Sequence, residues 1–340
     1  MKRLLYRSLL LLLIPLSIID CTSRNNSHNS NRETFNGIYY WKTVYSLDST
    51  ETAFLKHNSI SRMYIRFFDV VYEGESVPNA TIRFNSDVPD GVEIVPVVFI
   101  TVPAIKGMTD EEELASNIIT RTLNMADYHD LGPIREIQFD CDWTGSTKDA
   151  YYRLCKAAHE ILSSRGILLS STIRLHQLNQ EEPPVDCGVL MVYNTGSIQL
   201  PKTHNSILDE SDVKAYLRNG QIKYNLPLDI AYPVYGWGIL FRKGVYLGIL
   251  HETDYSDTLR YSNEGDGYYK VLYAHEIEGH TVIPGDMIRL ELPTAETIRK
   301  SKKMVTEAFP SKPQNIILYH LDSKSINHYS EDEINSFYSR

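Results

Sequence analysis

Eight short β-rich runs, helical patterns between them and the absence of a glycine-rich phosphate turn after the first run predict an α/β fold. The specific expectation is a (β/α)8 TIM barrel with a small β-rich insertion after strand seven. The runs are residues 37–45, 61–72, 92–101, 134–143, 166–175, 187–196, 228–237 and 315–322. Several are nearly continuous in Val, Ile, Tyr and Phe, the pattern of parallel strands covered on both faces. A doubly wound open sheet alternates in the same way, but the count of eight and the missing phosphate turn favour closure.

Helical spacing occupies 110–126, 147–164, 211–219 and 294–309. Acidic residues open the first of these. Ser211 and Gly220 read as the start and stop signals of the third, and Thr294 as the N-cap of the fourth. Residues 239–292 are too long for a loop. They contain the strand-like runs KGVYLGIL, YYKVLYAHEI and DMIRLEL around the turn-rich DYSDTLRYSNEGDG.

The N-terminus reads as an export signal. Lys2, Arg3 and Arg7 precede an apolar run from Leu9 to Ile19, too short to span a bilayer comfortably. Cys21 follows directly, where bacterial lipoproteins are cleaved and acylated, so residues 1–21 are expected to be a signal peptide with lipidation at Cys21. Asp20 departs from the lipobox pattern, in which a small residue usually precedes the cysteine. An uncleaved anchor or ordinary cleavage nearby would still export the chain. Residues 22–34 form a polar tether rich in Ser and Asn, and 35–340 are expected to be the barrel. The expected location is the cell envelope, with a membrane contact through the lipid.

Hydrophobic residues make up 42% of the chain, enough for a large core. Net charge is −9, and because the leader holds three basic residues and one acid, the remainder carries about −11. A nucleic-acid partner is therefore not expected. Beyond Cys21 the cysteines are Cys141, Cys155 and Cys187, an odd number without C-x-x-C spacing. They suggest neither a zinc site nor a disulfide framework, and burial as small apolar groups is the ordinary outcome. HEIEGH (275–280) has its histidines five apart instead of four, with Gly279 between strand-like flanks, so no metal is expected there. No cofactor is expected.

In a barrel the site lies at the C-terminal ends of the strands, and the fourth strand is the most informative. Period-two alternation turns Ile137, Phe139, Cys141 and Trp143 towards the helices and Gln138, Asp140, Asp142 and Thr144 towards the axis. Two inward acids need either a raised pKa or a strong donor. One reading is a site that separates acid and base roles. The other is a structural pair bonded to inward donors such as Tyr64, Arg66 or Arg174.

The run IQFDCDW followed by Thr144 resembles the fourth-strand D-x-x-D-x-D-x-E motif of family-18 glycoside hydrolases, the chitinase and endo-N-acetylglucosaminidase group. Asp140 and Asp142 match its second and third acids. MVYN (191–194) resembles the sixth-strand M-x-Y-D/N, AYPVYGWG (231–238) the seventh-strand P-x-Y-G, and the insertion has the position of that family's small α+β insertion. Two departures matter: Ile137 replaces the first acid, and Thr144 replaces the proton-donating glutamate. A threonine hydroxyl titrates far too high to replace it. The run also resembles that of a broader group of exported bacterial barrel proteins with I-Q-x-D-x-D.

The resemblance implies a glycan ligand containing N-acetylglucosamine. It implies that Asp142 would orient and stabilise an oxazolinium-like intermediate, Asp140 would tune it, and Tyr193 would hydrogen-bond the acetamido oxygen. With the glutamate missing, either another carboxylate reaches the site, Glu276 and Glu278 being candidates, or the barrel binds glycans without cutting them. A scaffold role through the insertion is a third reading. Trp41, Tyr235 and Trp237, beside Tyr193, are candidate sugar-stacking aromatics. Gln138, Thr144, Arg174, His176 and Asn194 are candidate polar contacts.

Overall fold

The computed structural model describes residues 34–217, 222–309 and 314–339; the leader, Cys21, nearly all of the tether and Gly220 lie outside the described residues. Eight strands form the barrel: β1 (Asn36–Tyr40), β2 (Ile60–Tyr72), β3 (Glu93–Ile100), β4 (Glu136–Asp140), β5 (Leu168–Arg174), β6 (Cys187–Met191), β7 (Leu228–Pro233) and β8 (Ile316–Tyr319). Each pairs in parallel with the next, and β1 pairs with both β8 and β2. The sheet is therefore closed, and all eight predicted runs contribute one strand each. All runs but the second overshoot their strands at the C-terminal ends, where the chain leaves the ladder to build the site. Thus β1 stops at Tyr40, and Val44–Tyr45 turns away to pair with Arg83–Phe84.

The predicted helices are present as α2 (Glu111–Tyr128), α3 (Lys148–Ser163), α4 (Glu210–Leu217) and α5 (Ala295–Ala308). Thr294 caps α5, accepting from the Thr297 amide at 3.1 Å. Ser211 does not cap α4: it lies inside the helix, and its amide donates to Asp209 at 2.8 Å. Among the described residues, two helices of eight or more residues escape the periodicity argument, α1 (Ser49–His57) and α6 (Glu331–Tyr338), as do the shorter Val102–Gly107 and Ser323–Ile326. Both α1 and α6 are too short to show a repeat, yet each opens with a reciprocal cap, Asp48 with Glu51 and Ser330 with Glu333.

The insertion is a five-stranded antiparallel sheet, in the order Val245–Leu250, Trp237–Arg242, Met287–Glu291, Tyr268–Val271 and Tyr261–Gly265, with its own apolar core around Leu240, Val271 and Ile288. It begins at Trp237, so Trp237 and Gly238 belong to it and not to the seventh barrel strand. The HEIEGH segment is a β-hairpin that turns at Glu278 and Gly279, both at positive φ, and pairs His280 with Ile277. Its histidines do not share a helix face.

On β4 the predicted alternation holds through Asp140, whereas Thr144, expected to face the axis, lies exposed beyond the strand end. Ile137, Phe139, Cys141 and Trp143 are buried. Cys155 and Cys187 are buried as well. On the axial side, Glu136 meets Arg62 at 3.3 Å, and Arg62 also meets Glu93 at 2.8 Å. One layer up, the Gln138 carbonyl accepts from the Tyr39 hydroxyl at 2.6 Å, and its amide donates to Ser170 at 3.3 Å. The barrel floor is thus a filled polar core, closed below the strand ends.

Candidate functional site

Above that floor, at the C-terminal ends of the strands, opens a cleft of about 710 Å³. Barrel strands supply its base, the insertion supplies one wall through His251, Glu252 and Glu278, and the segment after β8 supplies another through His320, Asp322, Lys324 and His328. Of the candidates named from sequence, Trp41, Asp140, Arg174, Tyr193, Asn194, Tyr235 and Trp237 line it together. Gln138 is a core residue beneath it. Asp142, Thr144 and His176 are not among its lining residues. Thr144 is exposed and bonds to Ser146 and Thr147 in the turn that leads into α3.

Arg174 decides the electrostatics of the paired acids. From the end of β5 its Nη2 donates to Asp140 at 3.1 Å and its Nε to Asp142 at 2.5 Å, so one guanidinium spans both carboxylates. Asp140 also accepts from the Thr172 hydroxyl at 2.6 Å. Burial pushes the Asp140 carboxyl above the usual carboxylate range; Arg174 opposes this and Asp142 adds to it. Burial also works against the charge of Arg174, but Asp140 and Asp142 more than offset it and hold the guanidinium cationic. Of the donors named from sequence, Arg174 is the one hydrogen-bonded to Asp140 and Asp142. Arg66 instead forms a pair with Asp69 and lies over the Trp41 ring at 5.4 Å.

The aromatic floor centres on a residue that the sequence reading missed. Tyr319, at the end of β8, stacks on Tyr193 at 4.9 Å and meets Tyr235 at 5.4 Å, Tyr39 at 5.6 Å and Trp41 at 5.7 Å. The signal was present: an aromatic residue closes the eighth run, in the position that a strand-end site uses. His320 follows it and lines the cleft, and burial lowers its imidazole to about 4, so it is neutral at pH 7. Tyr193 is buried, and its hydroxyl has no hydrogen-bond partner among the described residues. The Tyr235 hydroxyl, by contrast, donates to Asn194 at 2.7 Å.

The carboxylates of the cleft are already engaged. Glu278 accepts backbone N–H groups of His251 at 2.8 Å and Glu252 at 2.6 Å, which ties the hairpin to the neighbouring strand end. Glu252 accepts those of Thr253 and Asp254, and Asp322 pairs with Lys42 at 3.0 Å. Glu276 is bonded to Thr281 and does not line the cleft. Among the described residues, no group of three or more His, Cys, Asp or Glu is placed to hold a metal ion.

No family model matches the sequence, and no curated protein matches it in sequence. Solved structures match it in fold. The GH18 chitinase ChiB from the chitin utilization locus of Flavobacterium johnsoniae is 15% identical, with 91% of this chain and 94% of that chain covered at a TM-score of 0.54. An Ostrinia furnacalis Group IV chitinase in complex with allosamidin is 10% identical, with coverage of 90% and 98% and a TM-score of 0.55. The Bacillus megaterium spore cortex-lytic enzyme SleL is 13% identical, with coverage of 91% and 75% and a TM-score of 0.51. The chain has the barrel of the GH18 chitinases, and the fold supports the resemblance carried by its strand-end motifs.

Proposed function

We propose that this chain holds a glycan containing N-acetylglucosamine in its strand-end cleft without cutting it. The observation that carries this reading is Arg174, bonded to both Asp140 and Asp142, while Thr144 does not line the cleft. Cutting by the substrate-assisted route, in which the substrate's own acetamido group attacks, still requires a carboxyl group able to release a proton to the leaving oxygen. The remaining carboxylates of the cleft are held by backbone amides or by Lys42. What the cleft offers a ligand is an aromatic surface, Trp41, Tyr193, Tyr235, Trp237 and Tyr319. Sugar rings present apolar faces that suit such a surface.

Calorimetric titration of the full chain with N-acetylglucosamine oligosaccharides and N-glycan cores should show saturable binding. Trp41→Ala should weaken it about fivefold or more. If no member of the panel binds, the glycan reading fails.

A second reading has one observation in its favour. Asp140 lines the cleft, its carboxyl is raised, and both of its bonds fall on Oδ1. It could then serve a substrate-assisted hydrolysis in which Asp142 orients the acetamido group. The scaffold reading draws on Val245, Leu247, Leu259, Leu272, Tyr273 and Ile283, exposed apolar side chains on the insertion. It gives no reason for the cleft.

The same proposal places the chain outside the cytoplasm, held to a membrane by a lipid on Cys21. The support is the basic start, the apolar run and the cysteine that ends it. In cells fed an alkyne-tagged fatty acid, the wild-type chain should be labelled and Cys21→Ala should not. An unlabelled wild-type chain would rule out acylation.

A further inference from the structure

Strand Met287–Glu291 carries Arg289 and Glu291, two residues apart and therefore on the same face. Both side chains are fully buried, and the Arg289 Nε donates to Glu291 Oε1 at 2.7 Å. Replacing such a pair by apolar groups of similar volume is often neutral or stabilising, so stability alone does not explain its presence. Its contacts suggest another role. Glu291 Oε2 accepts from the Trp237 indole Nε1 at 2.7 Å and from the Ser206 hydroxyl at 2.5 Å. Arg289 donates to the carbonyls of Leu200 at 2.7 Å and Ile198 at 3.2 Å.

One buried pair thus ties three segments together: its own strand in the insertion, Trp237 in the cleft wall, and the loop that follows β6. That loop is in turn pinned next to Asn194, since Gly196 donates to Ser206 and Asp209 donates to Thr195. Two consequences follow for Trp237. Its indole N–H is used inside the protein, so its ring is what it can offer a ligand. Its orientation is fixed from two sides, by Glu291 and by the edge-to-face contact with Tyr235 at 5.3 Å and 71°.

We propose that Arg289 and Glu291 are positioning residues for the cleft: they hold the Trp237 ring as a preset stacking platform, so that a sugar binds without the cost of ordering it. This rests on the glycan reading above. The test uses four full-length proteins: wild type, Arg289→Met with Glu291→Leu, Trp237→Phe, and the triple variant. Removing both charges together avoids leaving one of them buried alone. The charge-pair variant should bind the glycan about three- to tenfold more weakly than wild type. In the Trp237→Phe background the same two changes should have no further effect. Equal binding by the charge-pair variant, or the same loss in both backgrounds, would overturn the proposal.

A second measurement does not depend on the variants folding well. In the ¹⁵N-labelled wild type, the Trp237 indole N–H, identified by its loss in Trp237→Phe, should exchange with solvent at least tenfold more slowly than an exposed indole, on the order expected for a buried hydrogen bond. Free exchange would overturn the clamp whatever the ligand. If the wild type binds no glycan of the panel while the indole is protected, the clamp stands and the glycan reading fails.

Discussion

Arg174→Met should lose roughly 3–5 kcal/mol of stability at neutral pH and recover most of it on acidification. The substitution leaves Asp140 buried without its cation, because the Thr172 hydroxyl is its other partner. The sign of the pH effect follows from the direction of the Asp140 shift. Burial raises this carboxyl in the folded state, so ionising it costs the folded chain more than the unfolded one. That cost is full above the folded pKa and fades as pH falls through it towards the unfolded value of about 3.9. Arg174 opposes the shift, so removing it widens the window upward. The gap between variant and wild type should therefore be largest at pH 7 and close towards pH 4, as urea denaturation at the two values would show. Adding Asp140→Asn to the variant should restore most of the loss at pH 7. A gap independent of pH would mean that Arg174 stabilises by packing and not by charge.

Tyr193→Phe should separate stability from binding. The Tyr193 hydroxyl is buried without a partner among the described residues, and such a group costs the folded state about 1–3 kcal/mol. Deleting it should leave the chain as stable as the wild type or more so by up to that amount. If the hydroxyl is kept for the ligand, the same deletion should weaken glycan binding about three- to tenfold, the equivalent of one hydrogen bond. Denaturant unfolding and calorimetry on one preparation read both effects. Lower stability with unchanged affinity would show a hydroxyl that serves the fold alone.

The barrel was legible because its strands are covered on both faces and read as continuous apolar runs, and because the alternation along β4 separates Phe139 and Cys141 from Gln138 and Asp140. Much of the cleft was legible for the same reason, since the family motifs sit at strand ends. The parts that were not legible depend on contacts between distant segments. Arg174 was visible as a donor, but nothing in β5 alone shows that it spans both acids. Glu278 looked like a candidate acid, whereas the hairpin geometry commits it to the amides of His251 and Glu252. Tyr319 gathers four aromatic neighbours from across the barrel, and the sequence of β8 records only the ring itself. Glu291 likewise lies far along the chain from the Trp237 that it fixes.

Whether the cleft holds a glycan without cutting it is tested most directly by incubating the full chain with N-acetylglucosamine oligosaccharides and N-glycan cores and following them by mass spectrometry, with Asp142→Asn in parallel. The expected result is substrates that stay intact under conditions where calorimetry shows them bound. Release of shorter products by the wild type, abolished in Asp142→Asn, would contradict it and establish a hydrolase whose acid is not at position 144.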